Sequence, residues 1–227
     1  MENLNELGIG DFSTISKDGN VQVYFKNIES NLVRHIEGAD IVVGCVAWLT
    51  SPAILRALSK KKGVSIIVQK EDWLRPDLQD RGDWKARQKS RYSQLPSALA
   101  RLDIAFGNTI LSKMSYCGDP TLDAVRCVGN YNSLRLPAFP RMHHKFIVLC
   151  REAKTEPHGY MNYEPHEVWT GSFNFTKNAA SSFENAIVLK DVGLVRAFFS
   201  EFAQIAALSE PLDWESEWVQ PQWRIGS

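Results

Sequence analysis

The chain has 227 residues, of which 44% are hydrophobic and 23% are charged, and its 26 Lys and Arg balance 26 Asp and Glu. This length suits one domain whose core needs no disulfide support, and seven Trp residues exclude a disordered chain. No apolar run reaches the roughly 18 residues of a membrane span, and the first residues lack the pattern of a signal peptide. We therefore expect a soluble, cytoplasmic protein with no membrane partner.

The neutral total conceals a basic segment and an acidic end. Residues 56–101 carry 12 Lys and Arg against five acids, and residues 191–227 carry six acids against two bases. Because a basic face attracts phosphate, zero net charge does not exclude a nucleic-acid partner. A long charged stretch can also be an ordinary solvated face of the protein. Charge alone therefore does not decide between a nucleic-acid surface and a solvated face.

Apolar patterning predicts alternating strands and helices along the chain. The first half is predicted to contain strands at 21–25, 40–49 and 64–68, a helix capped by Asn27, a helix starting at Ser51 and Pro52, and a helix from about 83 to 102. The second half is predicted to contain strands at 102–106, 142–150, 167–170 and 183–189 and a helix at 192–208. This order predicts an α/β fold, with a mixed, mostly parallel sheet flanked by helices on both faces.

The four cysteines give no indication of a metal site. Cys45 and Cys150 lie in apolar runs, where a thiol usually behaves as a small buried hydrophobe. Cys117 and Cys127 are ten residues apart, with no CxxC pair and no nearby His partner. We expect no metal and no disulfide.

Three short pieces of sequence carry candidate chemistry. His143-His144-Lys145 opens a strand, and alternation would direct His143 and Lys145 to one face and His144 to the other. Ser172 and Asn174 follow another strand within the piece Gly171-Ser172-Phe173-Asn174, and Glu184 lies near the start of the next strand. Imidazole can attack phosphorus, while Lys and Asn stabilise charge on phosphate oxygens and a carboxylate orients the imidazole. The set fits phosphodiester cleavage.

The order of these pieces resembles the signature of the phospholipase D superfamily, H-x-K-x4-D followed by G-S-x-N. The sequence segment TGSFNFTKNAASSFENA is similar to the corresponding segment in the nuclease branch of that family. The resemblance is strong from Met142 to Leu189, and the β-α-β opening is similar to the N-terminal half of the family. It implies a phospholipase D-like fold for a single domain over residues 1–227, with a basic insertion at about 70–140 and a Trp-rich tail at about 209–227.

Two features depart from the family pattern. Cys150 stands where the signature has Asp, a mostly supporting residue that some members lack. The two motifs are also about twice as far apart as usual, and we expect residues 152–165 to form an enlarged polar turn.

The family site uses two H-x-K motifs, whereas this chain holds one. The resemblance therefore implies a homodimer in which two copies share one site. One His143 would form a phosphohistidine, and His143 of the other subunit would protonate the leaving oxygen. No cofactor and no metal are implied, since Lys145 and Asn174 supply the charge stabilisation, and the catalytic set is His143, Lys145, Ser172, Asn174 and Glu184.

The segment before the weakly patterned region mixes aromatic and basic side chains, as nucleic-acid surfaces do. The candidate contacts are Trp73, Arg75, Arg81, Lys85, Arg87, Lys89 and Arg91, with Trp84 among them. The alternative is a solvated helix with its two Trp residues anchored in the core.

We expect a metal-independent nuclease that cleaves DNA or RNA through a phosphohistidine, and by analogy a defence role with partner proteins. One alternative is a phospholipid-processing enzyme that uses the same residues, and another is a non-catalytic nucleic-acid binding subunit. Single residues also have simpler interpretations. His144 is expected to be structural, Ser172 either bonds the turn backbone or contacts phosphate, and Glu184 either orients His143 or is a surface carboxylate.

Overall fold

A computed structural model describes residues 3–7, 10–70, 83–97, 123–129, 139–152 and 163–212 of the chain. In these ranges the helices are α1 (Ile28–Glu37), α2 (Pro52–Leu58), α3 (Trp84–Ser93) and α4 (Val192–Ala207), with short 3-10 turns at Leu4–Glu6 and Ala179–Ser181. The strands are β1 (Thr14–Ile15), β2 (Val21–Tyr24), β3 (Ile41–Val46), β4 (Gly63–Gln69), β5 (Val125–Val128), β6 (Lys145–Glu152), β7 (Tyr163–Gly171), β8 (Ala186–Leu189) and β9 (Glu210–Pro211).

The strands form one sheet in the order β1-β2-β8-β7-β6-β3-β4-β5-β9. This mixed sheet confirms the predicted α/β class. The expectation that most pairings are parallel is wrong, since β3–β4 and β4–β5 are parallel and the other six neighbouring pairs are antiparallel. β6 runs antiparallel to β3, and β7 and β8 each run antiparallel to the strand before them in the chain.

Helices cover both faces of the sheet, as predicted. On one face α1 and α2 pack over the sheet through residues at helical spacing, such as Leu32, Ile36 and Ile54. On the other face α4 buries Phe199 and Phe202 against β3 and β6. Each such side chain stabilises the fold by about 1.5–3 kcal/mol through burial of apolar surface. No helix in the described ranges combines the length and apolar character that a membrane crossing requires.

Local sequence explains where α2 starts, whereas the cap predicted for α1 is not formed. Ser51 Oγ accepts a hydrogen bond from the Ile54 N–H at 3.3 Å, so the predicted cap of α2 is confirmed. Asn27 precedes α1 but adopts a left-handed conformation (φ 50°), and its side chain makes no capping hydrogen bond. Ser51 Oγ also lies 2.5 Å from Glu29 Oε1, which ties α2 to α1.

The region predicted as a basic insertion contributes to the fold itself. α3 packs against α2, and β5 pairs with β4 inside the sheet. At the predicted tail, Glu210–Pro211 forms β9 against β5. The predicted strand at 102–106 and residues 213–227 of the tail lie outside the described residues, and the single-domain boundaries stay a prediction.

Candidate active site

The candidate catalytic residues lie at one end of the sheet, where three neighbouring strands start or finish. β6 starts at Lys145, β7 ends at Gly171 and β8 starts at Ala186. The register pairs Phe146 with Thr170 and Gly171 with Ala186, so these ends are aligned. The segments that hold His143, Ser172 and Glu184 therefore leave the sheet at the same end.

His143 and Lys145 are in direct contact. Lys145 Nζ is 3.2 Å from both ring nitrogens of His143 and donates a hydrogen bond to the His143 carbonyl oxygen at 2.9 Å. β6 begins at Lys145 rather than at Met142, so His143 lies before the strand and is exposed, while Lys145 is buried. Trp48 holds the other side of the imidazole, with ring centroids 5.8 Å apart in an edge-on arrangement.

The surroundings of His143 favour its neutral form. Partial burial lowers the pKa of His143, and the positive charges of Lys145 and Arg141 lower it further. Burial also lowers the pKa of Lys145, an effect that the negative charge of Glu184 opposes. A neutral imidazole keeps the free lone pair that a nucleophile needs.

Gly171 and Ser172 close the turn that carries the second motif. Ser172 Oγ accepts a hydrogen bond from the Asn185 N–H at 3.0 Å and donates one to Glu184 Oε2. Gly171 has a φ of +153°, and a Cβ at this position would lie 2.3 Å from the Asn185 carbonyl oxygen. Only glycine allows this close approach of β7 to β8.

Glu184 is held by Ser172. Within the residues that the structure describes, Glu184 makes no hydrogen bond to His143, so the predicted orienting role is not met by contacts inside one chain. The backbone-bonding interpretation of Ser172 is met, and the same hydroxyl fixes the carboxylate. Asn174 lies two residues after Ser172, and its buried Oδ1 has no hydrogen-bond partner among the described residues.

His144 faces away from this site. Its Nε2 lies 3.3 Å from Glu201 Oε1 on α4, and its ring packs edge-on against Phe146. This placement agrees with the structural role expected for His144.

Cys150 occupies the position of the signature Asp and lies far from the reacting groups. It is fully buried on the β6 face that packs against α4, and five residues of strand separate it from Lys145 by roughly 16 Å. Burial raises the pKa of the Cys150 thiol. Cys45 and Cys127 are also free and buried, while Cys117 lies outside the described residues.

Gln69, which the sequence analysis missed, fixes the chain before His143. Gln69 is fully buried at the end of β4, and its Oε1 accepts a hydrogen bond from the Met142 N–H at 2.6 Å. Its Nε2 donates to the Lys70 carbonyl oxygen at 2.9 Å. A Cβ on Gly129 would lie 2.5 Å from Gln69 Oε1, so that glycine makes room for the amide. One signal was available in the sequence, a Gln at the end of an otherwise apolar strand.

The predicted nucleic-acid contacts fall into two groups. Trp73, Arg75 and Arg81 lie outside the described residues. The second group lies on α3 and consists of Lys85, Arg87, Lys89 and Arg91.

Two buried side chains anchor α3 to the segment of Trp48. Gln88 Nε2 and Tyr92 Oη donate to the Leu49 carbonyl oxygen at 3.0 and 2.7 Å. Trp84 is 37% exposed, so the alternative in which it is anchored in the core is wrong for this residue. The basic helix is thus attached next to the aromatic wall of the site.

A pocket of about 430 Å³ adjoins the site on the side of Asn174 and Glu184. Its walls, of which only Asn174 and Glu184 were predicted from the sequence, are formed by Trp48, Thr50, Asn174, Thr176, Lys177, Asn178, Ala179, Ser182 and Glu184. Backbone hydrogen bonds join the two chain segments that line the pocket. The Phe175 N–H donates to the Trp48 carbonyl oxygen at 3.1 Å, and the Thr50 N–H donates to the Phe175 carbonyl oxygen at 2.8 Å. In the described ranges, no group of three His, Cys, Asp or Glu side chains is placed to hold a metal ion.

Comparison with known proteins gives one curated relative. The uncharacterized protein L381 of Acanthamoeba polyphaga mimivirus is 30% identical over 220 residues, which cover 94% of this chain and 75% of that protein. No model of a known protein family matches the sequence.

Two proteins of known structure share a distant likeness in fold with this chain. Nuc from Salmonella typhimurium, a phospholipase D family member, has a TM-score of 0.45 and 19% identity over 84% of this chain and 95% of Nuc. NucT from Helicobacter pylori has a TM-score of 0.48 and 14% identity over 83% of this chain and 96% of NucT.

Proposed function

The chain belongs to the same protein family as the uncharacterized mimivirus protein L381, and we propose from the chemistry of its site that it is a phosphodiesterase that cleaves DNA or RNA without a metal ion. The observation that carries this proposal is the contact of His143 with the buried ammonium of Lys145, 3.2 Å from both imidazole nitrogens. This pair combines a nucleophile with a cation for the phosphate that it attacks.

In the first step, the neutral imidazole of His143 attacks phosphorus. A P–N bond forms, the P–O bond to the leaving nucleoside breaks, and the leaving oxygen takes a proton from a second imidazole. Lys145 and the amide of Asn174 stabilise the negative charge on the non-bridging oxygens. One such donor lowers the activation free energy by about 2.7–4 kcal/mol. Water then attacks the phosphohistidine, gives up a proton to the second imidazole and frees His143.

The second imidazole belongs to another copy of the chain in this proposal. The sequence holds one His-x-Lys motif, and His143 is exposed on the single chain. A two-fold axis beside His143 would bring two equivalent imidazoles together and exclude water from both. The two histidines need opposite protonation states, so activity should fall on either side of a pH optimum.

Nucleic acid is the substrate that the surroundings favour. α3 carries Arg87, Lys89 and Arg91 and is attached to Leu49, beside Trp48, whereas the Nζ of Lys85 on the same helix is buried. Basic side chains next to an aromatic ring match a backbone of phosphates with stacked bases.

The direct test uses labelled single- and double-stranded DNA and RNA in excess EDTA. We expect wild type to cleave at least one of the four substrates and His143→Ala to cleave none. His144→Ala is the matched control, because His144 is the neighbouring imidazole on the opposite side of the sheet, and it should retain activity.

Other outcomes distinguish the alternatives. Binding without cleavage by wild type would favour a non-catalytic nucleic-acid subunit. Release of the head group from phospholipid vesicles, with no effect on nucleic acid, would favour the lipid enzyme. Cleavage by His143→Ala at the wild-type rate would refute the proposed nucleophile.

A further inference from the structure

The pocket beside the active site has the size and polarity of a binding site for one unit of a polymer. Its volume of about 430 Å³ falls within the roughly 300–1,000 Å³ that is usual for small-molecule sites. Five of its nine lining residues have hydroxyl or amide side chains, namely Thr50, Asn174, Thr176, Asn178 and Ser182, and Trp48 and Ala179 supply apolar surface.

One basic and one acidic side chain line the pocket, Lys177 and Glu184. Glu184 is already engaged by the Ser172 hydroxyl. Lys177 is exposed, and in the part of the chain that the structure describes it forms no ion pair. The ammonium of Lys177 can attract a phosphate at its own side of the pocket.

Trp48 connects the pocket to the reacting group. Its indole lines the pocket and also packs edge-on against the His143 imidazole, with centroids 5.8 Å apart. A group that rests on Trp48 is therefore a direct neighbour of the phosphate that His143 attacks. Flat nucleobases stack on aromatic side chains whatever their sequence.

We propose that this pocket binds the nucleotide next to the scissile phosphate, with its base against Trp48 and the neighbouring phosphate on Lys177. This inference rests on the proposed function and specifies its substrate as a chain that carries a second phosphate. A phospholipid with one phosphodiester offers no second phosphate to Lys177.

The test compares Lys177→Gln with wild type on two substrates. One is a single-stranded oligonucleotide, and the other is bis(4-nitrophenyl) phosphate, which has one phosphodiester and no neighbouring phosphate. We expect kcat/KM on the oligonucleotide to fall about tenfold, the low end of the range for a charged hydrogen bond. The slope of log affinity against log salt should become shallower by about 0.7, as for one lost contact to single-stranded nucleic acid. Hydrolysis of the small ester should not change.

Two controls separate a contact from a general effect of charge. Lys177→Arg keeps the cation and should retain most activity on the oligonucleotide. Lys17→Gln removes an exposed lysine from the β1–β2 turn, at the opposite edge of the sheet, and should behave as wild type. An oligonucleotide without the base next to the cleaved bond should bind about 5- to 150-fold more weakly, the measured range for lost stacking.

The possible failures are distinct. If Lys177→Gln leaves oligonucleotide cleavage unchanged, or lowers cleavage of both substrates equally, the pocket inference is wrong while the nuclease proposal stands. If wild type hydrolyses the small ester but no nucleic acid, the substrate class is wrong. If wild type hydrolyses neither, the proposed function fails and the pocket inference fails with it.

Discussion

Restoring the signature Asp at position 150 should destabilise this protein without improving its activity. Cys150 is fully buried on β6, and its strand partners are Ile41 and Pro165. Burial is the one cause that shifts the pKa of its thiol, with no contribution from a neighbouring cation. An Asp side chain at this point would be buried without a cation to pair with.

The size of the loss follows from the cost of keeping that carboxyl neutral. A fully buried carboxyl raises its pKa by about 3 units or more, and each unit corresponds to about 1.36 kcal/mol. Cys150→Asp should therefore lose about 4 kcal/mol of unfolding free energy at pH 7, a large share of the roughly 5–15 kcal/mol of a typical domain. The folded state binds the proton more tightly than the unfolded state, so this deficit should grow as the pH rises from about 4 to 7.

Urea denaturation at pH 4.5 and pH 7 measures this effect, with Cys150→Asn as the matched control. Asn also buries a polar side chain but does not titrate, so its deficit should be similar at both pH values. Turnover per folded molecule should equal that of wild type in both variants, because position 150 lies far from Lys145. An Asp variant as stable as wild type at pH 7, or one with a higher kcat, would refute this reasoning.

Three further predictions concern groups around the site and in the core. Gln69→Leu removes the acceptor of the backbone N–H that precedes His143 and should lower kcat more than it raises KM in steady-state kinetics, whereas an unchanged kcat would contradict the positioning role. Arg141→Gln removes one of the charges that lower the pKa of His143, so the acidic limb of the kcat/KM profile should move to higher pH. Burial alone would raise the pKa of Glu167, but the hydrogen bond and charge of His35 outweigh it and lower that pKa. Glu167→Gln should therefore lose about 1.5–3 kcal/mol in urea denaturation at pH 7, and this difference should shrink as the pH falls below the usual range of Glu and protonates the native carboxylate.

The sequence predicted the elements with strong periodicity, and its motifs indicated candidate site residues whose catalytic roles stay predictions. The predictions of α1, α4 and the central strands agree with the structure. In the two helices, apolar residues such as Leu32, Ile36 and Phe202 recur at the spacing that buries one face. The strand directions did not follow from periodicity, because a buried strand has the same apolar pattern whether its neighbour is parallel or antiparallel.

Long-range contacts account for the rest of what the sequence missed. Nothing near Gln69 in the chain indicates that its amide holds Met142, 73 residues later. In the same way, the position of Glu184 in the sequence does not indicate that its carboxylate accepts a hydrogen bond from Ser172, and its role in orienting His143 stays a prediction. Trp48 is separated from His143 by about 95 residues, and only the pairing of β3 with β6 brings their rings together.

The central claim is that His143 forms a covalent bond to phosphorus in a reaction that needs no metal ion. The most direct measurement mixes the protein with nucleic acid in excess EDTA, stops the reaction in alkali, which preserves phosphohistidine, and maps the modified peptide by mass spectrometry. We predict a nucleotide adduct on His143 of wild type that is absent from His143→Ala and present in His144→Ala. Cleavage that yields no adduct, an adduct on another residue, or activity that EDTA abolishes would contradict the account.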